Sequence, residues 1–105
     1  MKRKTTVYIA GKINGDLKYR EKFAEAQREL ETAGFIVLNP AILPEGFTYG
    51  AYIRICMAML NECDTVCFLP DWEESEGAKA EYAFVSATKK DFFLLEDRRR
   101  NYEMQ

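Results

Sequence analysis

Apolar positions along the chain alternate between a strand rhythm and a helical one, and their order predicts the architecture. Thr5–Ala10 is rich in β-formers and stops at Gly11, as a strand does. Leu17–Ala33 reads as a helix. Tyr19, Phe23, Ala26, Leu30 and Ala33 fall at i, i+4, i+7, i+11 and i+14, one stripe turned to a core. Asp16 is its expected N-cap and Gly34 its left-handed cap. Phe35–Leu38 is a continuous apolar run, the pattern of a strand covered on both faces, and Asn39-Pro40 ends it.

Ala41–Gly50, with its proline and glycines, is a loop. Tyr49–Glu62 is a second helix with Tyr52, Ile55, Cys56, Met59, Leu60 and Cys63 on its expected buried side. Asp64 leads into a third strand, Thr65–Leu69, which Pro70 stops. A short acidic loop, Asp71–Glu74, precedes a third helix capped by Ser75 and running to about Thr88. Phe92–Leu95 is a fourth strand. Residues 96–105 form a charged tail, either a short helix or exposed and disordered.

Strand and helix alternate four times, with connections of a dozen or more residues. That favours parallel strands, right-handed crossovers and helices on both faces. Ligands in such open sheets sit at the carboxyl ends of the strands. Three loops reach that edge: Gly11–Gly15, Asn39–Tyr49 and Pro70–Ser75.

Composition narrows the chemistry. The 105 residues suit a single domain, 1–105. An apolar fraction of 48% argues against disorder. The net charge of −2, with signs mixed along the chain, does not suit a binder of polymeric nucleic acid or of a membrane surface. No apolar run approaches the roughly 18 residues that span a bilayer. The basic start, Met1–Lys4, enters only a short strand and is not read as a signal peptide. Three cysteines, Cys56, Cys63 and Cys67, in apolar context imply reduced thiols and a cytoplasmic setting. With no histidine, triads and sites built on that residue are excluded, and the cysteine spacing fits no zinc pattern. Neither a metal nor a cofactor is expected.

Glu81 is the most informative residue. Ala78, Tyr82 and Val85 form the core stripe of the third helix, and Glu81 flanks it. A carboxylate beside a core costs free energy unless it is partnered or used. It lies about two turns from the helix start, where the dipole is expected to favour the ionised form, the form that attacks electrophilic carbon. The competing reading is a flank side chain reaching outward to water. Ser75 and Gly77 open the same helix. Ser75 is an ordinary cap or part of an anion site, and Gly77 leaves the first turn open to a ligand. Gly11, Lys12 and Asn14 follow the first strand as a weak phosphate cradle or a simple turn. Asn39 stands on the second loop of this edge. Tyr8 either aims its hydroxyl at the site or packs in the sheet. Asp71 is a candidate second carboxyl and Trp72 a candidate stacking surface for a base; a solvated acidic loop is the alternative. Asp64, at the opposite edge, is read as structural.

Four blocks resemble the nucleoside 2-deoxyribosyltransferase superfamily: VYIAGKING, GFIVLNPAILPEG, LNECDTVCFLPDW and ESEGAKAEYAFV, together spanning most of residues 5–95. Ser75, Gly77 and Glu81 match its nucleophile signature. The resemblance implies a flavodoxin-like, Rossmann-like three-layer sandwich with strand order 2-1-3-4. It implies a small-molecule nucleoside or nucleotide partner, cleavage or exchange of its base through a glycosyl-Glu81 ester, and Tyr8 holding the nucleophile. Serine at position 75, where relatives acting on nucleosides carry aspartate, implies a 5′-monophosphate ligand, with Lys12 adding charge. Cys56 stands where active relatives carry an aspartate. The alternatives are therefore a catalytically impaired nucleotide-binding module and an interaction domain with a decayed site. Open sheet edges lead us to expect a homo-oligomer.

Overall fold

The computed structural model describes residues 3–103. Met1, Lys2, Met104 and Gln105, which belong to the basic start and the charged tail of the sequence reading, lie outside the described residues. The elements run β1 (Thr6–Ala10), α1 (Tyr19–Thr32), β2 (Ile36–Leu38), α2 (Tyr49–Glu62), β3 (Thr65–Phe68), α3 (Glu76–Thr88), β4 (Asp91–Leu94) and α4 (Leu95–Glu103). Single 3₁₀ turns at Pro40–Ile42 and Trp72–Glu74 precede α2 and α3.

All four strands are parallel, in the order β2-β1-β3-β4, with helices against both faces. The fold is the α/β, flavodoxin-like three-layer arrangement expected. Alternation along β1 divides the core in two. Val7 and Ile9 pack with Cys67, with Phe23, Ala26 and Leu30 of α1, and with Leu95 of α4. Tyr8 and Ala10 face the other way, with Val66, Phe68, Leu60 of α2 and Val85 of α3. Burial raises the Cys67 thiol to about 12, and all three cysteines are free thiols.

Four local expectations are corrected. Asp16 does not cap α1, which starts at Tyr19, the first stripe residue, and not at the expected Leu17; its carboxylate instead accepts from the Lys18 amide at 2.9 Å and from Lys22 at 2.6 Å. The β2 run is not covered throughout, because β2 is an edge strand and Ile36 is half-exposed. Along α2 only Leu60 is fully buried, while Tyr52, Ile55, Cys56 and Met59 are half-buried. The amino-terminal half of α2 overhangs a cavity rather than the sheet. Finally, Leu95 is not the end of the fourth strand but the first residue of a helix, and the tail that follows takes the helical one of its two expected forms. This helix, α4, is anchored by Leu95 and by the Arg99–Glu29 ion pair at 2.7 Å, with Arg98 over the Phe35 ring.

Other expectations hold. Gly34 takes a left-handed φ of 99° after α1, and Ser75 caps α3 through an acceptor bond from Ala78 N at 3.1 Å. Asp64 accepts from Arg3 and from the Thr6 amide, tying β1 to the start of β3; the Arg3 guanidinium holds its carboxyl well below the usual range.

Candidate functional site

From β1 the chain crosses through α1 on one face of the sheet to β2. From β3 it crosses through α3 on the other face to β4, so the connections leaving β1 and β3 diverge at the carboxyl ends of these neighbouring strands. A cavity of about 420 Å³ opens there. Its floor is Tyr8 to Gly11. Its walls are the Ile13–Leu17 loop, the Pro40–Glu45 segment, the first turns of α2, and Ser75, Gly77, Ala78 and Glu81 of α3.

Glu81 shares the inward stripe of α3 with Ala78 and Val85 and is only 9% exposed. The Tyr8 hydroxyl, on a strand residue 1% exposed, donates to Glu81 Oε2 at 2.6 Å. This is the inward alternative of the sequence reading, and the acid is more deeply buried than a flank position implied. Its protonation differs from expectation as well. Burial pushes the Glu81 carboxyl up to about 7, against the Tyr8 bond that lowers it. Desolvation thus outweighs the helix dipole, which acts strongly only within the first turn. Burial, then the nearby Glu81 charge, raises the Tyr8 phenol well above its ordinary value. Burial and Glu81 likewise raise the thiol of Cys56, which lies beside Tyr8 and lines the cavity.

The opening of α3 is free for a ligand. Ser75 Oγ uses an acceptor lone pair on Ala78 N and keeps its proton for donation. The Glu76 and Gly77 amides belong to the first turn, where no helical carbonyl is in reach. A Cβ on Gly77 would approach only the Ser75 Oγ and Tyr49 hydroxyl, both at 3.9 Å, so position 77 borders open space. Gly11 differs: a Cβ there would sit 2.8 Å from Leu69 Cδ1, so this glycine permits close packing of the loop. Asn14 lines the cavity wall.

Four expected site residues are directed elsewhere. Asp71 accepts from the Lys12 amide at 3.1 Å and pairs with Lys22, on the far side of the Gly11–Gly15 loop. Lys12 turns to Glu74 at 3.4 Å and is not in the cavity wall. Trp72 stacks on Tyr82 with centroids 4.4 Å apart and tilts against Phe68, so its face is occupied. Asn39 is buried, accepting from Ala41 N at 2.8 Å and donating to Gln27 at 3.0 Å, which shapes the loop after β2.

The cavity also holds side chains that sequence reasoning passed over: Asp16, Tyr19, Glu45, Tyr49 and Tyr52. The signal for the last two was available, since tyrosines three apart open a helix directly after an edge loop. Tyr19 donates weakly to Glu45 at 3.5 Å across the wall. No group of three or more Cys, Asp or Glu side chains is placed to hold a metal ion among the described residues.

Residues 5–93 match a family described as a domain of unknown function, DUF4406. The chain is a DUF4406 domain. No match to a curated protein is found. No helix of this DUF4406 domain, among the described residues, is long and apolar enough to cross a membrane.

Proposed function

We propose that this DUF4406 domain cleaves or exchanges the base of a nucleoside or deoxynucleoside 5′-monophosphate through a covalent glycosyl-Glu81 intermediate. The observation that carries the reading is the buried Glu81 carboxylate, fixed by Tyr8 at 2.6 Å on the wall of a cavity large enough for a nucleotide. Ionised Glu81 attacks the anomeric carbon as the C–N bond breaks. Water or a second base then attacks the ester and restores the carboxylate, with the double displacement of a retaining glycosidase. Tyr8 orients the attacking oxygen and keeps its position as charge leaves it. The α3 opening, with the Ser75 hydroxyl and the Glu76 and Gly77 amides, holds the 5′-phosphate. Lys12, turned to Glu74, has no part in this version of the site.

Glu81→Gln keeps the size and a hydrogen-bonding oxygen but removes the nucleophile. Base release, followed by chromatography over a panel of monophosphates, falls by about a thousandfold or more. Calorimetric binding and the thermal transition survive. Undiminished release by this variant overturns the assignment.

Cys56 favours a second reading, a nucleotide-binding module without turnover, because a thiol raised by burial is poorly suited to a carboxylate's proton work. Binding without release by the native protein selects it. Absence of any nucleotide-induced thermal shift leaves an interaction domain instead. The same proposal places the protein in the cytoplasm, supported by three free thiols, and in a homo-oligomer, supported by exposed Ile36 and Phe92 on the two edge strands.

A further inference from the structure

Charge is distributed unevenly in the cavity. Among the described residues, no lysine or arginine lines it. Four tyrosines do: Tyr8, Tyr19, Tyr49 and Tyr52. Two carboxylates in its wall, Glu81 and Glu45, take part in no ion pair among the described residues; the third, Asp16, is met by Lys22. Arg20 stacks over the Tyr19 ring but gives its nitrogens to the carbonyls of Ala41 and Leu43 and does not line the cavity. The feature in the wall that attracts an anion is the α3 opening, and it suits one anionic group.

A neutral base is a poor leaving group unless an acid protonates it as the glycosidic bond breaks. The cavity offers little for that task. Cys56 occupies the position beside Tyr8 and Glu81, and Asp71 is tied to Lys22 behind the loop. A base that already carries positive charge needs no proton. Its ring is also the kind of cation that tyrosine faces and uncompensated carboxylates attract.

We infer that the substrate is an N-glycoside of a cationic base, an N-ribosylated pyridinium or an N7-alkylated purine, with a single phosphate at the other end of the sugar. The inference rests on the N-glycosidase reading above. The Glu81 oxygen forms a bond to the anomeric carbon while the C–N bond breaks. The C–N electron pair goes to the ring nitrogen and cancels its charge, so a neutral base departs. Water oxygen then bonds to the anomeric carbon as the bond from that carbon to Glu81 breaks; the electron pair returns to the carboxylate, which takes the water proton, and the sugar phosphate is released.

The test compares matched pairs: 7-methylguanosine monophosphate with guanosine monophosphate, and nicotinamide mononucleotide with cytidine monophosphate. Each release rate is divided by the uncatalysed rate, because cationic bases leave faster even without a catalyst. The expected acceleration is at least about tenfold greater for the cationic member, the low end of what a missing general acid costs. Glu81→Gln protein is expected to bind 7-methylguanosine monophosphate more tightly than guanosine monophosphate. Cys56→Asp, which supplies a carboxyl beside Tyr8, is expected to speed guanine release and narrow the preference. Equal acceleration within both pairs overturns the inference and leaves the N-glycosidase reading standing. No release from any of the four overturns both.

Discussion

Asp71 and Glu81 stand on two sides of the same loop, at the same edge of the same sheet, and meet opposite fates. Asp71 is bound by a cation and a backbone amide: Lys22 reaches it while also binding the Lys12 carbonyl at 2.8 Å and Asp16. Burial works against the Lys22 charge, but Asp16 and Asp71 outweigh it and hold its pKa above the ordinary value. Glu81 has no such cation. It meets a phenol and a desolvated wall. A carboxylate matched by an ammonium serves as a fastening, with its charge already satisfied. A carboxylate kept from water without a counter-ion retains its reactivity and raises its own proton affinity. Position at the carboxyl edge of the sheet therefore does not separate the two acids; the counter-charge does.

Changing either acid's environment tests that contrast. The largest effect is on the stability of the native protein as a function of pH. The Glu81 carboxyl is about 7 when folded and near 4.5 when unfolded. The native state thus holds its proton more tightly over that interval, so stability is greatest below the lower value and declines as pH rises toward the upper one. At about 1.4 kcal/mol per pKa unit the decline is on the order of 3 kcal/mol. Denaturant unfolding at pH 5 and pH 8 should show it, and Glu81→Gln should flatten it. An equally steep decline in the variant assigns the effect to another group.

Next in size is the fastening. Lys22→Met leaves Asp71 without its ammonium and frees the Lys12 carbonyl, a loss of about 2 kcal/mol for a pair that is partly shielded from water. Because the pinned loop forms a cavity wall, KM for the cleaved nucleotide should rise more than kcat falls, and Lys22→Arg should recover part of both. A drop confined to kcat contradicts the fastening role.

The smallest change in stability comes from Tyr8→Phe, roughly 1 kcal/mol for one buried hydrogen bond. Its clearer readout is kinetic. The hydroxyl is what lowers the Glu81 carboxyl, so its removal moves the midpoint of the pH–rate curve above 7. The rate deficit is then larger at pH 7 than at pH 9. A midpoint that stays put or moves down contradicts the bond's role.

The scaffold was legible because its signals are periodic and local. Apolar runs and helical spacing marked β1, α2 and β3 to within a residue or two, and the turn chemistry at Gly34 and Ser75 marked helix ends. The helical wheel brought Glu81 close to the core but left its direction open; only the cross-sheet meeting with Tyr8, 73 residues away in sequence, decides it. Lys12, Asp71 and Trp72 illustrate the limit. Each stands in a loop at the expected edge, yet Lys22, 49 residues from Asp71, and Tyr82, on the helix that follows Trp72, determine where the side chains of Asp71 and Trp72 point. Asp16 is no cap because near neighbours, the Lys18 amide and Lys22, take its carboxylate. No spacing rule registers a competitor of that kind. The overhang of α2 was equally hidden, because an apolar helix face looks the same whether it covers a sheet or roofs a hollow.

The last helix has a consequence for handling the molecule. α4 lies against the α1 side of the sheet, held by Leu95 and by an ion pair at the surface, whereas Glu81 and the cavity it lines are reached from the α3 side. Leu95 is the buried apolar anchor of this segment among the described residues, and a layer held in that way opens at low free energy, so its fraying is a local event. The sheet separates it from the Glu81 carboxylate. An affinity handle or fused partner attached at the far end of α4 therefore leaves the hollow unobstructed.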